Sequence, residues 1–222
     1  MSIDNISFKN LLDFLHNKKI LITTHDSVDI DGYSSCIVLQ FFLQSFFTSE
    51  NICVMFGDIN SSTNEFIEKW KAKFPDIVIE LNQNKISPEI DIILVLDTNN
   101  LEMVRFLEDN IDNYVETEKV FIDHHYLHES SSINDNNLPH IINDDISSTA
   151  EIVFELIKYI DIEIPSPYMY LLAAGILKDS GFFKHGSNKT IDRINSILTH
   201  YKLDFQEIRQ ILNYQKDISE TI

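Results

Sequence analysis

The sequence predicts an α/β fold: a parallel sheet of about five strands with helices on both faces, followed by a helical C-terminal part. Two observations support this prediction. Short runs rich in Ile, Leu and Val alternate with segments of helical periodicity up to about residue 145, and beyond it the pattern is helical almost throughout. Strands that are apolar along their whole length are typical of parallel sheets covered on both faces.

The predicted strands are short and apolar from end to end. They cover Ile20–Thr24, Ile52–Phe56, Ile77–Leu81, Ile92–Leu96, Val120–Ile122 and, with a less apolar pattern, His140–Ile142. The helical patterns cover Phe8–Leu15, Tyr33–Phe47, Glu65–Lys73, Leu101–Leu107, Ala150–Tyr159, Pro165–Leu177, Lys189–Thr199 and Phe205–Tyr214. The polar run Ser147–Thr149 is typical of a helix N-cap and predicts that a helix begins there.

Composition limits the classes of partner. The chain has 222 residues and a formal net charge of −18. A surface this acidic repels phosphate backbones, so we expect no tight binding to long nucleic acid. No apolar run reaches the ~20 residues that span a bilayer, and the N-terminus lacks a basic region followed by an apolar one. We therefore expect a cytoplasmic protein without membrane contact, and an oligomer is compatible with the sequence.

Ionisable side chains follow two of the predicted strands at the points where these strands end. His25, Asp29 and Asp31 come after the first strand, and Asp97 comes directly after the fourth. Because ligands gather outside the carboxyl ends of parallel strands, we expect these groups to meet at one edge of the sheet. Gly32 is expected to relieve the backbone where the next helix begins.

Two further segments carry the same types of side chain. The fifth strand is followed by Asp123, His124 and His125, and Asp179 ends an apolar helix. Mixed oxygen and nitrogen ligands suit Mn²⁺ or Zn²⁺ better than Ca²⁺. Carboxylates clustered in this way repel one another, and two divalent cations at ~3.5–4 Å would neutralise them and activate a water molecule. The sequence therefore predicts a site for two metal ions.

Four segments together resemble a known family. The stretches HDSVDIDGYSS, VLDTN, IDHH and GILKDSGFF are similar, in order and spacing, to the four motifs of the DHH phosphoesterase superfamily. A fifth stretch, SSTAEIVFELI, resembles the segment that follows in bacterial oligoribonucleases and bifunctional phosphatases of that superfamily. The resemblance covers roughly residues 18–200, and the combination is far more specific than any single fragment. Its details leave the subfamily open between oligoribonuclease-like and RecJ-like proteins.

The resemblance implies a role for each matching residue. His25 and Asp29 would hold one metal ion, while Asp31, His124 and Asp179 would hold the other, and Asp97 would bridge the two. The ions are expected to be Mn²⁺, with Mg²⁺, Co²⁺ or Zn²⁺ as alternatives.

The resemblance also assigns residues to the substrate. His125 would face the substrate phosphate, and Asp123 would orient a histidine by accepting its N–H, so that Asp97, Asp123 and His125 are the expected catalytic residues. Lys184 would contact the phosphate, because similar proteins place a basic residue after the last motif; a solvated loop position is the alternative.

The resemblance divides the chain into a catalytic domain of residues 1–200 and a C-terminal helix of residues 201–222. Most hydrolases of this superfamily carry a second, glycine-rich substrate-binding domain (DHHA1), whereas no glycine follows Thr199. We therefore expect the C-terminal helix either to close a short protein or to lead toward a second domain that is absent from this chain.

Three functions from different classes remain open. The first is hydrolysis of phosphodiester or phosphomonoester bonds in short oligonucleotides, dinucleotides or nucleotides by a two-metal mechanism. The second is hydrolysis of pyrophosphate or polyphosphate, and the third is a non-catalytic scaffold related to replication proteins. A base-stacking aromatic side chain near the metals would favour the first function, and a cluster of Lys and Arg would favour the second. The scarcity of basic residues near the motifs favours the first.

Overall fold

The computed structural model describes residues 5–79, 89–111, 114–133 and 137–212. Its strands are β1 (Ile20–Thr24), β2 (Ile52–Val54), β3 (Ile92–Leu96), β4 (Glu118–Asp123) and β5 (Ile141–Ile142). Its α-helices are α1 (Asn5–Leu15), α2 (Ile30–Gln44), α3 (Ser61–Lys73), α4 (Thr149–Ile160), α5 (Ser166–Asp179), α6 (Asn188–Tyr201) and α7 (Phe205–Ile211). Short 3₁₀ helices occupy Ser49–Asn51, Leu101–Met103 and Arg105–Leu107.

The five strands form one parallel sheet in the order β2-β1-β3-β4-β5. From β1 the chain moves outward to β2 and then returns to β3 on the other side of β1. This reversal makes the gap between the carboxyl ends of β1 and β3 the topological switch point, where open α/β sheets bind ligands. Register keeps the two strands level, because Thr24 pairs with Leu96 at their ends.

Both faces of the sheet are covered, as predicted, but by different kinds of helix. In β1, Ile20 and Ile22 belong to the core that also contains side chains from α1 to α7, while Leu21 points to a smaller core on the other face. The smaller core includes Val104 and Leu107 from the region of the second and third 3₁₀ helices. The α/β fold with a parallel five-stranded sheet is confirmed.

Two predicted elements take another form. The strand predicted at Ile77–Leu81 is wrong for residues 77–79, which pair with no described strand; Ile77 and Ile79 pack on the main core while Val78 is exposed. The remainder of that prediction lies outside the described residues. The helix predicted at Leu101–Leu107 is wrong as one helix, because Val104 (φ −130°, ψ 37°) has a non-helical backbone and separates two 3₁₀ helices.

The helix predicted at Phe205–Tyr214 begins where expected, and Tyr214 lies outside the described residues. α7 lies on α3 and α5, and Lys73 of α3 pairs with Glu207 of α7 at 2.5 Å. Among the described residues, no helix is both long and apolar enough to cross a membrane.

Candidate metal centre

The carboxyl edge of the sheet gathers the residues that the sequence predicted as metal ligands. They are His25 after β1, Asp29 and Asp31 at the start of α2, Asp97 after β3, His124 after β4, and Asp179 at the end of α5. Ligand atoms from these residues form two groups, each with all members within 4.8 Å of one another: His25, Asp29 and Asp97 in one, and Asp31, His124 and Asp179 in the other. A third group of the same size joins Asp97 and His124 to His125. The edge thus presents two adjacent sets of oxygen and nitrogen donors.

Asp97 belongs to the first group and also reaches the second. Its Oδ2 atom is 3.7 Å from Nε2 of His25, and its Oδ1 atom is 3.4 Å from Nε2 of His124. The two oxygens of this carboxylate, which is 3% exposed, therefore face different groups. One carboxylate with this orientation can serve both groups of donors at once.

The outer ligands complete each group. Nε2 of His25 is 3.8 Å from Oδ1 of Asp29, and Nε2 of His124 is 3.1 Å from Oδ2 of Asp179. Nδ1 of His25 lies 2.8 Å from the carbonyl oxygen of Asp26, a contact that leaves Nε2 directed at the carboxylates. A carbonyl partner on one ring nitrogen is the usual way in which proteins orient a metal-binding histidine.

The buried Nε2 atom of His124 has no hydrogen-bond partner among the described residues, although two carboxylate oxygens lie close to it. A buried polar atom without a hydrogen bond is costly and rare in native proteins. Side chains that bind the same cation point at the ion and not at one another. Carboxylates that lie close to His124 without hydrogen-bonding geometry are therefore typical of a metal site. The residues present therefore fit divalent cations.

The backbone turns sharply at Asp97. Its φ is +61°, in the left-handed region, and its N–H still donates to the carbonyl of Ile122 at 3.0 Å. Aspartate and asparagine enter this region more easily than most residues that carry a Cβ. The turn directs the Asp97 side chain out of the sheet and into the centre of the cluster.

Asp31 is held by the N-terminus of α4. Its Oδ2 accepts from the backbone N–H of Thr149 at 2.7 Å and its Oδ1 from that of Ala150 at 3.0 Å. The hydroxyl of Thr149 also donates to Oδ1 of Asp97 at 2.9 Å. The sequence predicted the cap of this helix, but not that the helix would fix two candidate ligands. Helix periodicity does not reveal which helix terminus meets which side chain.

Glycines bring α2 close to its neighbours. A Cβ added to Gly175 of α5 would lie 2.9 Å from Oδ1 of Asp31. A Cβ on Gly32 would lie 2.5 Å from Oγ1 of Thr24, and Gly32 has no positive φ. The expected backbone role of Gly32 is therefore wrong: its small size lets α2 pack onto the end of β1. Sequence reasoning missed Gly175.

The Nδ1 atom of His125 is engaged by Asp123. Nδ1 is 2.7 Å from Oδ1 of Asp123, a carboxylate with no exposed surface. The side-chain amide of Asn99 donates to the other oxygen of Asp123 at 2.7 Å, and Ser131 donates to Asn99 at 2.7 Å. This series of hydrogen bonds fixes the half-exposed ring of His125 and leaves its Nε2 atom for a ligand. Sequence reasoning assigned no role to Asn99 or Ser131.

A family model for the DHH family, N-terminal domain, matches residues 19–176. The chain belongs to the DHH family. This match contains all of the cluster residues except Asp179, which lies three positions beyond its end. The family resemblance inferred from the four motifs is thus confirmed.

Two relatives of this DHH protein align along nearly the whole chain. An uncharacterized protein of Methanocaldococcus jannaschii is 24% identical, in an alignment that covers 95% of this chain and 59% of the length of that protein. The structure of an exopolyphosphatase-related protein from Bacteroides fragilis superposes with a TM-score of 0.69 and 26% identity, over 97% of this chain and 63% of the other. The chain therefore spans about three fifths of the length of these relatives.

A third solved structure is more distant. Exonuclease RecJ bound to manganese aligns over 94% of this chain and 63% of its own, with 12% identity and a TM-score of 0.40. At this distance the likeness carries no argument about the site.

In this DHH protein the histidines of the cluster have strongly shifted pKa values. Burial lowers the pKa of His25, but the neighbouring carboxylates of Asp29 and Asp97 outweigh it and raise the pKa to about 11. Burial likewise opposes protonation of His124, and the carboxylates of Asp179 and Asp97 raise its pKa to about 11. Burial and the neighbouring carboxylates raise the pKa of Asp31 well above its usual value.

Metal binding will therefore release protons. His25 and His124 are protonated at neutral pH without metal, whereas a histidine ligand must be neutral. The affinity for a divalent cation will fall as the pH falls, by up to about tenfold per pH unit for each displaced proton. Titration calorimetry at neutral pH, in two buffers with different ionisation enthalpies, will measure the number of protons released. Equal binding enthalpies in the two buffers would contradict the prediction.

Lys184 lies on the exposed loop between α5 and α6. Its backbone N–H donates to the carbonyl of Gly181 at 3.3 Å, in a turn where Gly181, Phe182 and Phe183 all have positive φ. The turn begins two residues after Asp179 in the sequence. Contact of Lys184 with a phosphate stays a prediction.

Proposed function

We propose that this protein is a phosphoesterase that depends on two divalent metal ions, with Mn²⁺ as the preferred ion. One observation carries the proposal: Asp97 is buried between two groups of donors and turns one oxygen toward each. His25 and Asp29 would hold one ion with Asp97, and Asp31, His124 and Asp179 would hold the other. The binuclear arrangement is the one that phosphatases and nucleases use to cleave phosphate esters.

Charge supports a phosphate substrate. Four carboxylates surround the proposed ions: Asp29, Asp31, Asp97 and Asp179. Bound divalent cations would offset these charges, polarise the scissile phosphate and activate water. An acidic protein can then accept an anionic substrate at this edge and at the same time repel long nucleic acid elsewhere.

His125 is the proposed protein group on the substrate phosphate. The hydrogen bond with Asp123 raises the pKa of His125, which favours the imidazolium form near neutral pH. A fixed imidazolium donates to a phosphate oxygen and stabilises the negative charge that develops there in the transition state. Asp123 acts through His125, and Lys184 is a further candidate for phosphate contact.

The preferred substrates are short oligonucleotides, dinucleotides or nucleotides. Hydrolysis of pyrophosphate or polyphosphate is the alternative, and it is favoured by the similarity to a protein described as exopolyphosphatase-related. The two functions share the metal centre and differ in the surface that holds the rest of the substrate. A non-catalytic scaffold is the least favoured function, because every predicted ligand position carries a carboxylate or an imidazole.

A side-by-side assay will separate these functions. We expect the purified chain with Mn²⁺ to hydrolyse a dinucleotide or a 3′,5′-bisphosphonucleotide faster than pyrophosphate, and to lose activity with EDTA. Mg²⁺, Co²⁺ and Zn²⁺ should be compared under the same conditions. Faster turnover of pyrophosphate would select the alternative, and no turnover of any substrate with any of the four ions would favour the scaffold.

A further inference from the structure

A cavity of about 760 Å³ opens beside the metal centre, at the carboxyl ends of β1 and β2. Its lining includes Asp26, Met55, Phe56, Asp58, Phe106 and Asn110, and we refer to it as the Phe106 cavity. Asp26 directly follows the candidate ligand His25, and its backbone N–H donates to the carbonyl of Met103 at 2.5 Å. The cavity and the cluster therefore share the loop that follows β1.

The cavity is large enough for more than phosphate. Sites for small molecules and cofactors commonly measure roughly 300–1,000 Å³. The Phe106 ring packs closely against Gly57 in the cavity wall, because a Cβ on Gly57 would lie 2.7 Å from Cδ1 of Phe106. Phe106 is only partly buried and offers aromatic surface to the cavity. Such a surface favours a flat ring as its occupant.

The charges of the cavity exclude one class of occupant. Asp26 and Asp58 contribute carboxylates, and no lysine or arginine is among the described residues that line it. Further phosphate groups of a polyphosphate chain would be repelled there. Hydroxyl and amino groups would instead be bound, because carboxylates accept hydrogen bonds from them.

We propose that the Phe106 cavity binds the nucleoside part of the substrate, with the base against Phe106 and Met55 and the sugar hydroxyls near Asp26 and Asp58. This inference rests on the proposed function and narrows it to phosphate esters that carry a nucleoside. The residues that recognise the nucleoside would then belong to this chain.

Binding of adenosine, which has no phosphate, tests the cavity separately from catalysis. We expect ligand-observed NMR to detect adenosine binding to the wild-type chain at millimolar concentration. Asn110→Trp places an indole among the residues that line the cavity and removes the hydrogen bond that the Asn110 amide donates to the carbonyl of Phe106 at 2.6 Å. It will weaken binding at least about tenfold, which corresponds to ~1.4 kcal/mol. Asp109→Trp is the matched control, because the neighbouring residue is exposed but does not line the cavity. This control will bind adenosine like the wild type.

Catalysis supplies the second readout. With Mn²⁺, Asn110→Trp will lower kcat/KM for a dinucleotide about tenfold, mainly through KM, and leave pyrophosphate hydrolysis within about twofold. Wild-type protein that does not bind adenosine, or equal effects of the two tryptophan variants, would overturn the cavity assignment while metal-dependent hydrolysis still stands. Adenosine binding that only Asn110→Trp weakens, in a chain without hydrolytic activity, would instead refute the proposed function and leave the cavity as a nucleoside site.

Discussion

Asp97→Asn will reduce Mn²⁺-dependent hydrolysis by at least about 10³-fold, equivalent to ~4 kcal/mol of transition-state stabilisation. The substitution keeps the size of the side chain but replaces one of the two oxygens that face His25 and His124. Asparagine also tolerates the left-handed φ of +61° at this position. We therefore expect the unfolding temperature to stay within a few degrees of the wild type, so that lost activity reports on the site.

Two companion variants sharpen this prediction. Asp97→Ala removes both oxygens and will be inactive as well, with an added cost for an alanine at positive φ. Asp109→Ala changes an exposed carboxylate away from the cluster and will retain full activity. Calorimetry of Asp97→Asn should show that fewer Mn²⁺ ions bind or that they bind more weakly. Unchanged Mn²⁺-dependent hydrolysis in the alanine variant would refute the bridging role.

Arg193→Met will destabilise the fold by about 3–5 kcal/mol, because it leaves a buried carboxylate without its counter-charge. The guanidinium of Arg193 donates to Glu151 and to Glu155, each at 2.6 Å, and Glu151 has no exposed surface. Glu151 also accepts from the backbone and the hydroxyl of Ser147, just before α4 begins. Thermal unfolding of the metal-free protein should show a decrease in Tm of roughly 10 °C.

Matched variants distinguish the buried pair from an ordinary surface pair. Lys9→Met breaks an exposed ion pair with Asp13 and will leave Tm nearly unchanged. Adding Glu151→Gln to Arg193→Met removes the unpaired charge but keeps an acceptor for Ser147, and it will recover part of the lost stability. A Tm for Arg193→Met within about 2 °C of the wild type would contradict the prediction.

The sequence predicted the strands best where both faces are buried. β1 and β3 have the predicted bounds because every one of their residues is buried, and continuous apolar runs therefore mark them fully. Ile77–Ile79 has a similar composition but rests on the surface of the core with no described neighbouring strand. Apolar composition indicates burial, and only a neighbouring strand makes a buried run part of a sheet.

The convergence of the cluster was predictable because strand ends in a parallel sheet share an edge. What holds the cluster in place was not predictable. Asp31 depends on two N–H groups of α4, and its close contact with α5 depends on Gly175. Both contacts join residues far apart in the chain, and neither leaves a periodic signal. The roles of the individual ligands stay predictions that Asp97→Asn tests.

The candidate ligands come from four stretches of chain, between the loop after β1 and the last residue of α5. No short peptide segment contains a complete group of donors, and the group of Asp31, His124 and Asp179 is complete only when α5 has been synthesised and has docked on α2. A cation in this group would consequently bind only after α5 has docked. A disturbance that separates α5 from α2 would release the ion from the Asp179 group while the sheet is still intact.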